Sequence, residues 1–354
     1  MSRHRPRDSW ALQALALPYA AAIRLRNGLY DRGWLAQRRL PRRVISIGNL
    51  TVGGTGKTPL VIWTVEQLMA KGLRVAVLSR GYRRQNPSRY VLVSDGRRTH
   101  AGPGEAGDEP FLIALRCPGA VVAVGADRYR LGQWVLERCE VDCIVLDDGF
   151  QHRGLHRDID LLLIDATDTQ GLRAMLPAGR LREPLSSAAR ATALIVTRAD
   201  QVSDIRAVLA PIMEAIREPV ETILVRFIPD ECVEVGSGVF KPWAELAHRK
   251  VFLVSGIADP SGFRSSVERL GLEVVGELAF PDHHRYVKDD LAEMRRREHQ
   301  VHADCLLTTE KDAVKIAALC GADASMWALR LRTDILDGRE RLQRLLLSEG
   351  TAPV

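Results

Sequence analysis

Short apolar runs alternating with segments of helical spacing organise the first two thirds of the chain. The runs at 43–50, 73–82, 120–125, 141–150, 159–166 and 191–200 are rich in Val, Ile and Leu and predict buried strands. Between them, 59–71, 109–117 and 127–139 carry apolar residues at helical spacing, and Lys71-Gly72 reads as a C-cap. Strands alternating with helices predict a largely parallel sheet covered on both faces. Polar residues gather after the C-terminal ends of the strands, where such sheets bind ligands. The pattern changes near 218. Residues 220–247 alternate short β-prone runs with Gly and Pro and predict a hairpin or ribbon. A second α/β unit begins at 250–260, continues through a helix at 261–271 and apolar runs at 272–280, 304–315 and 326–331, and leaves a charged tail at 332–354, read as a helix and a frayed end.

With 354 residues the chain is long enough for two domains, and 46% apolar with 27% charged residues is an ordinary globular composition. A formal charge of +6 favours anionic partners without choosing among nucleotide, anionic lipid and nucleic acid. The basic residues are not interleaved with aromatics in a nucleic-acid module, so a nucleic-acid partner is not expected. Of the six cysteines only Cys139 and Cys143 lie close together, which points to reduced thiols rather than a zinc or disulfide framework. No run approaches the roughly 20 apolar residues that span a bilayer. Segment 9–34 is rich in Ala and Leu, carries Arg24, Arg26 and Arg32, and has Trp10, Tyr19, Tyr30 and Trp34 near its margins. Two readings stand for it: a helix lying in a membrane interface, or a helix packed on the protein's own core.

The chemistry centres on 44–59, VISIGNLTVGGTGKTP, a strand followed by a glycine-rich turn and a helix start. Gly53, Gly54 and Gly56 allow backbone N–H groups to approach phosphate oxygens, with Thr51, Val52 and Thr55 completing the loop. Lys57 is placed to reach β- and γ-phosphates, and the Thr58 hydroxyl to meet Mg²⁺. Pro59 suits the first turn of the helix. Thr51 stands where the general phosphate-loop pattern has glycine.

Four further segments offer partners. Asp147 and Asp148 end an apolar strand, as Mg²⁺-holding acids do in phosphate-loop proteins, or as residues of a solvated turn. Asp108 and Glu109 precede a helix, as N-caps or, for Asp108, as the base that takes a proton from an acceptor hydroxyl. Asp282, His283 and His284 form a polar loop after a strand, where a carboxylate tunes an imidazole. Lys311, Asp312 and Lys315 follow another strand, placed to meet phosphate, nucleotide or the first domain.

Together these pieces resemble the tetraacyldisaccharide 4'-kinase family, the lipid A 4'-kinases of Gram-negative bacteria. The resemblance rests on SIGNLTVGGTGKTP at 46–59, SRGYRR at 79–84, GDEP at 107–110, LDDGFQH at 146–152, RD at 157–158, LPAGRLREP at 176–184, FPDHHRY at 280–286 and TTEKDAVK at 308–315, in the same order over most of the chain. Within this family Thr51 is the usual loop residue. The resemblance implies an ATP-dependent kinase at the cytoplasmic face of the inner membrane, peripheral or monotopic, acting on the 4'-hydroxyl of a tetraacylated glucosamine disaccharide 1-phosphate. It implies that Lys57 and Thr58 handle ATP and Mg²⁺, and that Asp108 is the base, supported by His283. Glu109, Asp147, Asp148 and Glu183 would organise Mg²⁺ and the cleft. Arg80, Tyr82, Arg83, Gln151, His152 and Arg180 would contact the cleft or the lipid headgroup, while His284 looks replaceable.

The fold class that follows is α/β: a phosphate-loop NTPase-like, largely parallel sheet with helices on both faces, a β-ribbon linker and a smaller C-terminal α/β domain. The expected boundaries are 1–35 for the interface helix region, 36–218 for the kinase core, 219–248 for the ribbon and 249–354 for the second domain. An anionic membrane surface is an expected partner, and no obligate protein partner is predicted. Two other functions share parts of this pattern. An ATPase coupling hydrolysis to conformational change would use Lys57, Thr58 and Asp147 but gives FPDHHRY no role. A nucleotide-regulated binding protein would bind ATP without consuming it.

Overall fold

The computed structural model describes residues 10–348 apart from 83, 85, 217 and 321–325. Among the described residues thirteen strands form one mixed sheet: β1 (Arg43–Asn49), β2 (Val75–Ser79), β3 (Val91–Asp95), β4 (Val121–Val124), β5 (Cys143–Asp147), β6 (Ile159–Asp165), β7 (Ala193–Thr197), β8 (Glu221–Glu234), β9 (Phe240–Pro242), β10 (Lys250–Ser255), β11 (Glu273–Ala279), β12 (Cys305–Thr309) and β13 (Met326–Asp337). Their order across the sheet is β11-β10-β12-β13-β8-β7-β6-β1-β5-β2-β4-β3, with β9 paired to β8. The helices are α1 (Trp10–Asp31), α2 (Lys57–Met69), α3 (Pro103–Ala106), α4 (Asp108–Arg116), α5 (Arg128–Leu136), α6 (Ile205–Ala215), α7 (Pro260–Glu268), α8 (Lys288–Gln300), α9 (Glu310–Cys320) and α10 (Arg339–Leu347).

The predicted parallel sheet is present: β7, β6, β1, β5, β2 and β4 run parallel, and antiparallel β3 closes the edge. Strands β1, β2, β4, β5 and β7 are buried almost throughout, which is why they read as continuous apolar runs rather than alternating ones. Separate apolar clusters lie on the two faces. Leu60, Val61, Val65 and Leu68 of α2 pack on one, and Leu131 and Val135 of α5 on the other. A parallel group of β11, β10, β12 and β13 forms the other half.

What joins the halves is a long antiparallel pair, β8 with β13. The ribbon anticipated at 220–247 therefore has β13 as its main partner, with β9 as a short hairpin arm. Residues 332–337, expected in a charged tail, continue β13. Their charges meet cross-strand partners: Asp334 lies opposite Arg226, whose Nε is 2.8 Å from its carboxyl. The final helix, α10, returns to the first half, where the Arg43 guanidinium donates to the carbonyls of Leu345 and Leu346 at 2.6 Å.

Helix α1 docks through polar contacts: Tyr19 donates to the carbonyl of Arg182 at 3.0 Å, and Asn27 donates to Glu183 at 2.8 Å. Three of its leucines face outward, with Leu15, Leu17 and Leu25 at 59%, 71% and 66% exposure and Trp10 at 82%. Among the described residues no helix is long and apolar enough to cross a membrane.

Candidate active site

Parallel pairing of β1 with β5 sets Ile47 beside Asp147, so the loop that follows β1 and the acids that end β5 emerge side by side. Gly56, at φ 86°, turns the chain into α2. This left-handed conformation favours glycine, and an added Cβ would also lie 2.2 Å from the Phe227 ring of β8. Arginines hold the loop from outside. The Thr51 and Val52 carbonyls accept from Arg182 and Arg180, the Gly54 carbonyl accepts from Arg198, and the Thr55 carbonyl accepts from the Thr197 hydroxyl. Val52 N–H donates to the Arg180 carbonyl at 2.8 Å. With these carbonyls engaged by the scaffold, the loop is braced as an amide-lined turn at a helix start.

Lys57 Nζ donates to Asn49 Oδ1 at 3.1 Å and lies 3.6 Å from Asp148 Oδ1. Arg182 ties the same group together, donating to Asp148 Oδ2 at 2.8 Å, to Asn49 Oδ1 at 2.9 Å and to Gln151 Oε1 at 3.0 Å. Burial tends to raise the Asp148 carboxyl, but Lys57 and Arg182 hold it below the usual carboxylate range. Its neighbour behaves in the opposite way. Asp147 is buried, accepts only from the Ser79 hydroxyl at 2.8 Å, and leaves Oδ1 without a hydrogen-bond partner among the described residues. Burial, reinforced by the charges of Glu109 and Asp148, pushes its carboxyl up to about 7.

A carboxylate so destabilised in its charged form fits a divalent cation. No group of three or more His, Cys, Asp or Glu residues among those described could hold a metal ion by itself. Mg²⁺ in general takes one or two carboxylates and completes its shell with water and substrate phosphates.

The second cluster lies at the head of α4, where Gly107 at φ 91° lets the helix begin against the backbone of Gly81 and Tyr82. Asp108 Oδ2 is 3.2 Å from His283 Nδ1. His283 comes from the other half of the sheet, in the loop after β11, and its N–H donates to the Gly256 carbonyl. Asp312, fully buried, accepts from Gly256 N–H at 2.9 Å and braces that loop. Lys311 Nζ lies 3.1 Å from His283 Nε2 and 3.3 Å from Glu109 Oε1, while Lys315 Nζ lies 3.6 Å from Asp108. Burial works to raise the Asp108 carboxyl, but the His283 hydrogen bond and the charges of Lys315, His283 and Lys311 hold it low. It is therefore an ionised acceptor at neutral pH. Tyr82 packs edge-on against His283, with centroids 5.5 Å apart, and also lines a cleft of about 290 Å³ with Arg80, Gly81, Pro87 and Ala126.

Not every expected site residue keeps its expected place. Glu183, foreseen among the metal acids, is fully buried, and its Oε2 accepts from Asn27 at 2.8 Å and Arg190 at 2.9 Å. Through Asn27 it anchors α1. Glu109 pairs with Lys311 and reaches Asp147 through its charge. Arg180 clasps the phosphate loop and pairs with Asp168 at 2.8 Å. Gln151 is a scaffold group, donating to the Asn49 carbonyl at 2.9 Å. Burial, followed by the charge of Arg128, pushes the His152 imidazole down to about 4, so it is neutral. His284 stacks on Phe280 and pairs with Asp290 at 2.9 Å, a local structural role. Arg83 lies outside the described residues. The sequence reading assigned no role to Asn49, Arg182 or Ser79. All three sat in plain view inside the motifs, and only the strand order shows what they hold.

The model of the family described as tetraacyldisaccharide-1-P 4'-kinase matches residues 8–350. A tetraacyldisaccharide 4'-kinase of Pelobacter propionicus is 42% identical over 308 residues, covering 87% of this chain and 83% of the relative. One from Anaeromyxobacter dehalogenans is 38% identical over 354 residues, covering 97% and 93%. Among solved structures, LpxK from Aquifex aeolicus in complex with ATP superposes with a TM-score of 0.74 at 33% identity, covering 95% of this chain and 97% of that one.

Proposed function

The chain belongs to the tetraacyldisaccharide-1-phosphate 4'-kinase family, and we propose that its two clusters divide that reaction into phosphate handling at Lys57 and proton removal at Asp108. The enzyme is an ATP-dependent lipid kinase. It transfers the γ-phosphate of ATP to the 4'-hydroxyl of tetraacyldisaccharide 1-phosphate, giving the 4'-phosphate of the lipid A precursor.

The observation that carries the division of labour is the position of Asp108. It is ionised, lies at a helix start, and is held by groups from the opposite half of the sheet. Asp108 takes the proton of the acceptor hydroxyl as that oxygen closes on phosphorus. Lys57, tethered by Asn49 and Asp148, offsets charge on the transferring phosphoryl group. Thr58, Asp147 and Asp148 would hold Mg²⁺. Bound there, it would offset the charge that builds on the transferring phosphoryl group. The cleft beside Tyr82, with Arg80 at its wall, supports a place for the anionic sugar headgroup.

The outward leucines of α1, with exposed Arg24 and Arg32, support a peripheral seat on an anionic membrane surface, where the acyl chains of the substrate reside. The cytoplasmic face of the inner membrane fits a reaction that consumes ATP. A 4'-deoxy analogue of the lipid tests the division of labour. It should bind and protect ATP from turnover. Rapid ATP hydrolysis in its presence would place the chemistry on water and against this reading.

A further inference from the structure

Helix α1 reaches the phosphate-binding cluster through two backbone carbonyls. The Tyr19 hydroxyl donates to the Arg182 carbonyl at 3.0 Å, and the Arg26 guanidinium donates to the Gln151 carbonyl. The side chains of these same two residues hold the groups around Lys57. Arg182 donates to Thr51, Asp148, Asn49 and Gln151, and Gln151 donates to the Asn49 carbonyl. From this geometry we infer that Tyr19 and Arg26 are positioning residues of the nucleotide site: the docked α1 sets where Arg182 and Gln151 stand, and through them the seat of Lys57 and Asp148.

Every link of that path is a hydrogen bond. Lys57 donates to Asn49 Oδ1 at 3.1 Å, and Arg182 Nη2 converges on the same atom at 2.9 Å. Arg182 N–H donates to the Leu50 carbonyl at 2.7 Å, so a shift of the backbone gripped by Tyr19 is felt at the residue that leads into the phosphate loop.

The docking of α1 is itself fixed in register. Asn27 is buried and donates to the fully buried Glu183, whose carboxylate also accepts from Arg190 at 2.9 Å. Arg153, buried too, donates to the Asn27 carbonyl at 3.1 Å and to Asp31 at 2.7 Å. The Tyr30 ring meets two guanidinium groups, Arg26 at 5.7 Å and Arg153 at 5.0 Å, which holds Arg26 close to its acceptor. A slide of α1 by one residue would take Asn27 away from a buried carboxylate, a costly loss, so the helix has one seat. Outward it shows Leu15, Leu17 and Leu25, and inward it grips the scaffold of the phosphate loop.

The inference rests on the reading of Lys57 as the group that meets the ATP phosphates. A helix that only held lipid or membrane would leave ATP binding untouched when no lipid is present. A positioning helix would not. The test is calorimetric titration of the full-length protein with ATP and Mg²⁺, without lipid. Tyr19→Phe with Arg26→Met removes both donors and keeps the ring and most of the arginine stem. Its Kd for ATP should rise by about 3–30-fold. Tyr19→Phe with Arg26→Lys, which keeps a charged donor, should lie nearer wild type. An unchanged Kd in the folded double variant overturns the proposal, whatever happens to its melting temperature. Should that variant not fold, hydrogen exchange of the wild type decides. Coupling between sites is reciprocal, so ATP with Mg²⁺ should slow amide exchange across 19–27. Exchange there that ATP leaves unchanged overturns the proposal. Lys57→Met separates the two readings: if it binds ATP as wild type does, the reading of Lys57 falls, and the α1 variants still decide the role of the helix.

Discussion

Asp108 and His283 lie 3.2 Å apart although 175 positions separate them in the chain. One starts α4 beside the phosphate loop, and the other hangs from the second half of the sheet. The β8–β13 pair makes their meeting possible by fusing the two halves into one sheet. Asp108→Asn should therefore depress kcat by about 10²–10⁴-fold while nucleotide binding stays near normal. His283→Ala should act in the same direction, and less strongly if its role is orientation. Single-turnover transfer together with equilibrium ATP binding checks both. Loss of ATP binding in parallel with turnover would mean that Asp108 serves the nucleotide site instead.

Asp147 sets up a trade between stability and function. Its carboxyl is raised from 3.8 to about 7 in the fold. A raised acid favours the folded state fully below its unfolded value and loses that contribution as pH rises through the folded one. The loss here spans about pH 4 to 7 and is worth roughly 2–4 kcal/mol. Asp147→Asn removes the buried charge. Ligand-free Asp147→Asn should melt above wild type at pH 8, lose that advantage as pH falls towards about 4, and transfer phosphate poorly at every Mg²⁺ concentration. Equal melting temperatures at both pH values would show that the carboxylate is not under this strain.

Arg116, in the last turn of α4, places Nη1 2.7 and 3.0 Å from the two carboxylate oxygens of Glu310 at the start of α9. Both side chains are mostly buried, and Arg330 approaches Glu310 at 3.6 Å. The pair fixes α9, which carries Lys311 and Lys315, against α4, which carries Asp108. Arg116→Met should cost about 3–5 kcal/mol, because it strands a buried carboxylate, and Arg116→Met/Glu310→Met should recover most of that loss. Chemical denaturation of the three proteins measures it. Equal destabilisation of the single and double variants would mean that the pair contributes no coupling.

The exposed leucines of α1 give a prediction that leaves the core alone. Leu17→Glu with Leu25→Glu should preserve melting temperature, since both side chains are exposed, and should reduce co-flotation with anionic vesicles. Unchanged flotation would assign membrane contact to another surface.

The parts of this site that lie within one segment were legible in the sequence. The phosphate loop needs only a strand, glycines and a helix start, and 44–59 supplies all three. Asp147 and Asp148 were recognisable because an apolar strand rarely ends in two acids without a reason. Contacts set by strand order were not legible. Arg182 joins Asp148, Asn49 and Gln151 only because β1 and β5 are neighbours and the 180–182 segment crosses them. The partners of Glu183 were hidden for the same reason: one position along, its carboxylate meets Asn27 and Arg190 under α1. The end of β13 was hidden by charge, since Arg332 and Asp334 resemble a solvated tail until their partners on β8 are known.

The central claim is that the Lys57 cluster delivers a phosphoryl group to a lipid hydroxyl freed by Asp108. The most direct measurement is transfer of labelled γ-phosphate from ATP to purified tetraacyldisaccharide 1-phosphate, with and without Mg²⁺, by wild type and by Asp108→Asn. Wild type should form a doubly phosphorylated lipid that requires Mg²⁺, and the variant should form it much more slowly. Steady release of inorganic phosphate without labelled lipid would contradict it.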